Sequence, residues 1–108
     1  GKLFNVNADT LAGSLAARLK AKRLVIAGAT PGVLDKRNQT IPRLNKERIE
    51  KLVKSGTANA GMVAKLAACQ TALKGGARNV VIVDGRSPGR LVKAVGGQKT
   101  SATTKVVN

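Results

Sequence analysis

The sequence predicts an α/β fold with a mostly parallel sheet and flanking helices. Residues 23–28 (Arg-Leu-Val-Ile-Ala-Gly) and 79–83 (Asn-Val-Val-Ile-Val) are nearly continuous apolar runs, as expected of strands buried on both faces. Around them lie stretches whose apolar residues recur at helical spacing, and strands alternating with helices argue for parallel pairing through crossover helices. The 108 residues leave room for one domain.

Each element has a local reason. Leu11, Leu15 and Leu19 form one stripe of a first helix, with Asn5, Asn7 and Asp9 offering cap oxygens before it. The first apolar strand follows, then the turn Thr30-Pro31-Gly32, then Val33-Leu34 and the polar turn 35–38, with Thr40-Ile41 returning as a short hairpin strand. Asn45 caps a helix in which Ile49, Leu52 and Val53 share a face, Glu47/Lys51 and Glu50/Lys54 stand at i,i+4, and Gly56 ends it. A longer helix spans about 61–74, with Met62, Leu66, Cys69 and Leu73 inward and Gly75-Gly76 as its stop. After the second apolar strand, Ser87-Pro88 reads as N-cap and first turn of a short helix carrying Leu91, Val92 and Val95, and 103–107 reads as a final edge strand.

Composition narrows the chemistry. Twenty Lys+Arg face five Asp+Glu, a net charge of +15, and the chain has no His, one Cys, one Phe and no Trp or Tyr. Without His there is no His-activated nucleophile and no His-ligated metal, and a single Cys allows no internal disulfide; no metal site is expected. The core must come from Val, Leu and Ile, since sixteen of the hydrophobic residues are Ala. The longest apolar stretch, 24–34, has eleven residues interrupted by Gly and Pro, short of the ~20 that a spanning helix needs. Residues 1–5 hold neither a signal-peptide apolar segment nor an initiator Met, so the expectation is a soluble, cytoplasmic chain processed or excised from its natural start.

Three loop-to-element junctions are candidate sites. The polar loop 5–9 opens a helix whose N-terminal N–H groups can orient an anion, although capping alone accounts for it. The turn at 29–32 follows a buried strand, where ligands bind in open α/β sheets; a plain turn is the alternative. Residues 59–65 (Asn-Ala-Gly-Met-Val-Ala-Lys) lead from a loop into a helix and place Lys65 one turn in, a residue type that neutralises charge on a transferring phosphoryl group, although a surface Lys is the commoner reading in so basic a chain. Cys69 reads as a small buried hydrophobe.

Taken together, Asn-Val-Asn-Ala-Asp (5–9), Pro-Gly-Val-Leu-Asp (31–35), Gly-Met-Val-Ala-Lys (61–65) and Val-Asp-Gly-Arg (83–86) resemble, in order and spacing, the amino acid kinase family, and within it the acetylglutamate kinase branch. The resemblance covers nearly the whole chain but only the C-terminal, nucleotide-binding half of such an enzyme. Residues 1–108 are therefore expected to be a single partial domain, half of the family's three-layer fold. It implies an ATP-dependent phosphotransferase of the arginine pathway acting on a side-chain carboxylate, with ATP and Mg2+ as its cofactor complex. Asn5 then matches a residue contacting the acylated amino acid, Asp9 a carboxylate positioning catalytic lysines, and Lys65 a lysine stabilising the transferring phosphoryl group. Ala29, Thr30, Pro31, Gly32, Val33 and Leu34, with Thr57, Ala58 and Asn59, match segments lining the ATP site.

The departures set a second expectation beside the first. The family's N-terminal half, with its Gly-rich phosphate loop and other catalytic lysine, has no counterpart here, so the chain alone is expected to be inactive. A second copy or the missing half would complete the sheet. Gly28-Ala29 replaces a Thr-Asp or Ser-Asp pair, and acidic residues remain mainly at motif positions, as in a designed or reconstructed sequence. The charge is what a non-catalytic scaffold binding nucleic acid or another polyanion through phosphate contacts would carry. Almost no aromatic residue is present to stack on bases.

Overall fold

The computed structural model describes Arg18 and residues 22–108. The expected first helix, with Leu11, Leu15 and Leu19, lies outside them. The described elements are β1 (Arg23–Gly28), β2 (Arg43–Leu44), α1 (Lys46–Lys54), α2 (Ala60–Lys74), β3 (Asn79–Asp84), α3 (Pro88–Val95) and β4 (Thr103–Val106). The four strands form one sheet in the order β1-β3-β4-β2. β1 runs parallel to β3 from Arg23↔Asn79 to Gly28↔Asp84, and β2 runs parallel to β4. β3 and β4 meet antiparallel, Val80↔Val106 to Val83↔Thr103. The sheet is thus mixed, with parallel pairs on both sides of one antiparallel seam.

Alternation sorts the strand residues between two faces. Ile26, Val80, Ile82, Val106 and Leu44 point to one side, where they join Ile49 of α1 and Leu66, Cys69, Ala72 and Leu73 of α2 in the main core. Val83 is also fully buried but faces the other side, towards α3. The result is a three-layer sandwich with α1 and α2 on one face and α3 on the other. Caps set the helix starts: Asn45 Oδ1 accepts from Arg48 N–H and Asn59 Oδ1 from Met62 N–H. Gly56 and Gly76, both at positive φ, follow the ends of α1 and α2.

Two expectations are corrected, and the packing of α3 adds a third finding. The 103–107 segment is not at an edge: β4 lies between β3 and β2, because the two-residue β2, too short to show any period, covers its far side. On α3, which carries Leu91, Val92 and Val95 as expected, the valines are not the buried residues. Val92 and Val95 are 72% and 59% exposed, and Ala94 is the buried contact. The end of this helix is tied down by Arg23, whose Nη1 donates to Val95 O at 2.8 Å, so α3 approaches the sheet through its small residue. Finally, the hairpin strand at 40–41 is reduced to one antiparallel bridge, Leu34↔Thr40.

Candidate functional site

The parallel strands β1 and β3 end side by side, and their C-terminal ends carry the segments singled out from sequence. Lys65, in the second turn of α2, lays its side chain across the end of β1. A Cβ on Gly28 would stand 3.4 Å from Lys65 Cε, so the glycine leaves the stem a backbone surface to rest on. On the neighbouring strand, Gly85 N–H donates to Gly28 O at 2.8 Å. An added Cβ there would stand 2.9 Å from Ala27 Cβ, and only glycine lets the two strand ends close to this distance.

The loop leaving β1 is clamped. Gly32 takes φ +71°, and a Cβ would meet Thr104 Oγ1 at 2.7 Å. The Thr104 hydroxyl, fully buried in β4, accepts from Val33 N–H at 2.8 Å and donates to Ile41 O at 2.6 Å. Thr40 Oγ1 donates to Pro31 O and Thr30 Oγ1 to Gly32 O. Residues 29–34 therefore form a fixed turn with its backbone bonded to β4 and to the returning arm of the hairpin. The hairpin tip is turned by Asp35, whose Oδ1 accepts from Arg37 and Gln39 N–H. The Gln39 bond above all holds this carboxyl below its ordinary pKa.

Between the hairpin and α1 lies an open concavity of about 470 Å³, whose lining includes Lys36, Arg37, Arg48 and Lys51 with Asp35 and Thr57. Thr57 shares it with the hairpin; its hydroxyl bonds Ser55 Oγ at 2.8 Å. Ala58 packs half-buried against the core, and Asn59 caps α2. The structure thus sets Lys65 and the 29–34 turn at the end of β1, and places Thr57 with the hairpin tip and α1. Asn5 and Asp9 lie outside the described residues. Cys69 is fully buried, as its place on the apolar face suggested.

One ion pair falls in the Val-Asp-Gly-Arg motif (83–86), to which the sequence assigned no role. Asp84, buried at the end of β3, accepts from Arg86 through the backbone N–H and Nε on Oδ1 and through Nη2 on Oδ2, at 2.8–2.9 Å. The guanidinium bonds draw the carboxyl down to a pKa of about 2 and raise that of Arg86. The signal was an Asp-Gly-Arg run directly after a buried strand. Among the described residues no three acidic, His or Cys side chains gather into a metal-binding group, and no helix is long and apolar enough to cross a membrane.

Comparison with known proteins identifies the family. Residues 1–84 match the amino acid kinase family. The chain belongs to that family. It is 49% identical over 88 residues to acetylglutamate kinase from Rhodopseudomonas palustris (strain BisA53), covering 82% of this chain and 30% of that protein. The acetylglutamate kinase of Bartonella tribocorum is 44% identical over the same share of this chain and 29% of its own length. The chain therefore spans about 30% of the length of these curated relatives. Among solved structures, N-acetylglutamate synthase from Neisseria gonorrhoeae, complexed with coenzyme A and N-acetyl-glutamate, superposes with a TM-score of 0.83 at 23% identity, over 100% of this chain and 25% of that one. Carbamate kinase from Giardia lamblia bound to AMP-PNP superposes with a TM-score of 0.69 at 19% identity, over 94% of this chain and 32% of that one. These two likenesses show the fold alone.

Proposed function

We propose that this chain forms the ATP-binding, C-terminal portion of an acetylglutamate kinase-like phosphotransferase whose acceptor is a side-chain carboxylate. The observation that carries the reading is Lys65 lying across Gly28 at the paired ends of β1 and β3, beside the clamped 29–34 turn. Phosphoryl transfer between anionic groups relies on positioning and charge neutralisation rather than on a protein nucleophile. A rigid turn can seat a nucleotide beside it, and an ammonium over the strand ends can neutralise the phosphoryl group in flight.

The described residues suit ATP better than a metal ion by itself. Both nearby carboxylates are engaged, Asp84 by Arg86 and Asp35 by its own turn, so Mg2+ would enter on the nucleotide's phosphates. Asn5 would contact the acylated amino acid and Asp9 would orient Lys65. Turnover would further require the Gly-rich loop and second lysine that the family carries in its N-terminal half, so this chain by itself would bind ATP without transferring phosphate.

The test is a titration of Mg·ATP followed by amide chemical shifts, comparing the chain with Lys65→Ala and Lys65→Arg. Loss of one charge-assisted contact should weaken binding about tenfold for Lys65→Ala, with partial recovery for Lys65→Arg. Undiminished affinity in Lys65→Ala would remove the reading.

A further inference from the structure

A second basic site lies on the opposite face of the sheet. At the far end of β1 from Gly28, five residues or about 17 Å along the strand, a groove of about 470 Å³ is bordered by Arg23, Arg43, Lys99 and Lys105, with Asn79 and Thr103 between them. Its size lies within the roughly 300–1,000 Å³ typical of small-molecule pockets, and its floor includes Val81 and Ala94.

The arrangement of charge is unusual. Register places Arg43 directly opposite Lys105 across the β2–β4 pair, and Lys105 opposite Val81 on β3. Paired residues project from the same face, so the two cations are cross-strand neighbours, an arrangement that destabilises a sheet. None of the four acidic residues among those described lines the groove to offset them. Asp84 is held by Arg86 at the other end of β3, Asp35 turns the hairpin, and Glu47 and Glu50 are exposed on α1. Along one wall the Arg23 guanidinium bonds Val95 O and packs against Gly97. The groove is bounded, lined by side-chain amide and hydroxyl donors as well as cations, and lacks any aromatic ring for a nucleobase.

We propose that this groove is a second anion site, separate from the strand-end site, for a small molecule carrying two or more phosphate or carboxylate groups. Two anionic groups are needed to offset a repelling cross-strand pair and the flanking Arg23 and Lys99 together. The bounded volume favours a compact ligand over an extended strand.

The test uses pyrophosphate, with orthophosphate at equal ionic strength as comparator, titrated into the 108-residue chain and followed by amide chemical shifts. Shifts should concentrate at Asn79, Thr103 and Lys105. Lys105→Gln and Arg43→Gln should each weaken pyrophosphate about tenfold, whereas the double variant Lys36→Gln/Arg37→Gln, which removes more charge elsewhere, should not. Arg43→Gln should also melt no lower than the parent without ligand, because it relieves the repulsion. Three results would overturn the proposal: equal weakening by the Lys36/Arg37 variant, shifts confined to 28–34 and 57–65, or a response to an oligonucleotide but not to pyrophosphate.

Discussion

Replacing Gly32 by Ala tests how tightly the turn after β1 is built. Two costs act together. An L residue held at φ +71° pays about 1–2 kcal/mol for the left-handed conformation. The new methyl would also stand 2.7 Å from Thr104 Oγ1 and 3.0 Å from Thr104 N, and such overpacking costs about 1–3 kcal/mol. The combined loss is about 2–5 kcal/mol, a large share of the ~5–15 kcal/mol that stabilises a domain of this size. Urea unfolding followed by far-ultraviolet circular dichroism measures it directly, since the signal comes from the backbone. The double variant Gly32→Ala/Thr104→Ala separates the two costs. Removing the threonine should recover the steric part, leaving a coupling energy above about 1 kcal/mol. A loss under about 1 kcal/mol for Gly32→Ala, or strict additivity with Thr104→Ala, would refute the account of a clamped turn.

Two further perturbations probe the strand ends. Gly85→Ala should destabilise the chain by about 1–3 kcal/mol, because Ala27 Cβ and Gly28 O lie 2.9 and 3.2 Å from the added methyl; Gly89→Ala, which meets nothing within 4 Å, should be neutral or slightly stabilising in the same urea assay. Asp84 has a folded pKa of about 2 against an ordinary 3.8, so its stabilisation is complete above the ordinary value and is lost as pH falls from there towards 2. Asp84→Asn should therefore flatten that part of the stability curve in acid titration. Asp35, lowered in the same direction, leaves a residual slope, and an unchanged acid limb would contradict the ion pair's role.

How much of this could be read in the sequence depended on how many residues carried each signal. The two long strands were legible because consecutive, mostly apolar residues admit few other readings, α1 because Asn45 stands where a cap is needed, and α2 because Met62, Leu66, Cys69 and Leu73 form a stripe that Gly75-Gly76 stops. β2 was illegible: two residues have no period, and their strand character comes entirely from pairing with β4. The burial of α3 was not legible because the pattern of Leu91, Val92 and Val95 describes a helix but not which side the sheet lies on. The end of α3 is bonded by Arg23, some seventy residues away in sequence. At the candidate site, Lys65 and the 29–34 turn were found as short motifs that occur within single loops. Thr104 and the Asp84–Arg86 pair were not assigned: a threonine in a strand looks like any β-former, and its two hydrogen bonds reach residues that only the tertiary fold brings near.

The Thr104 hydroxyl has a consequence for the order in which the molecule assembles. Its partners, Val33 and Ile41, lie 71 and 63 positions earlier in the chain. During synthesis the turn emerges from the ribosome well before the strand that fixes it. Closing so long a loop carries an entropic cost that must be met before the contact returns anything, and high contact order slows folding. The residues that would face the nucleotide are therefore among the last to acquire their final geometry, and they wait on the last strand described. Until that strand docks, β1, α1 and α2 can be in place while the strand-end turn has neither its hydrogen-bond acceptor nor its steric stop. On the proposed function, the capacity to bind at that end would then be a late product of folding, gained with the arrival of residues 103–106.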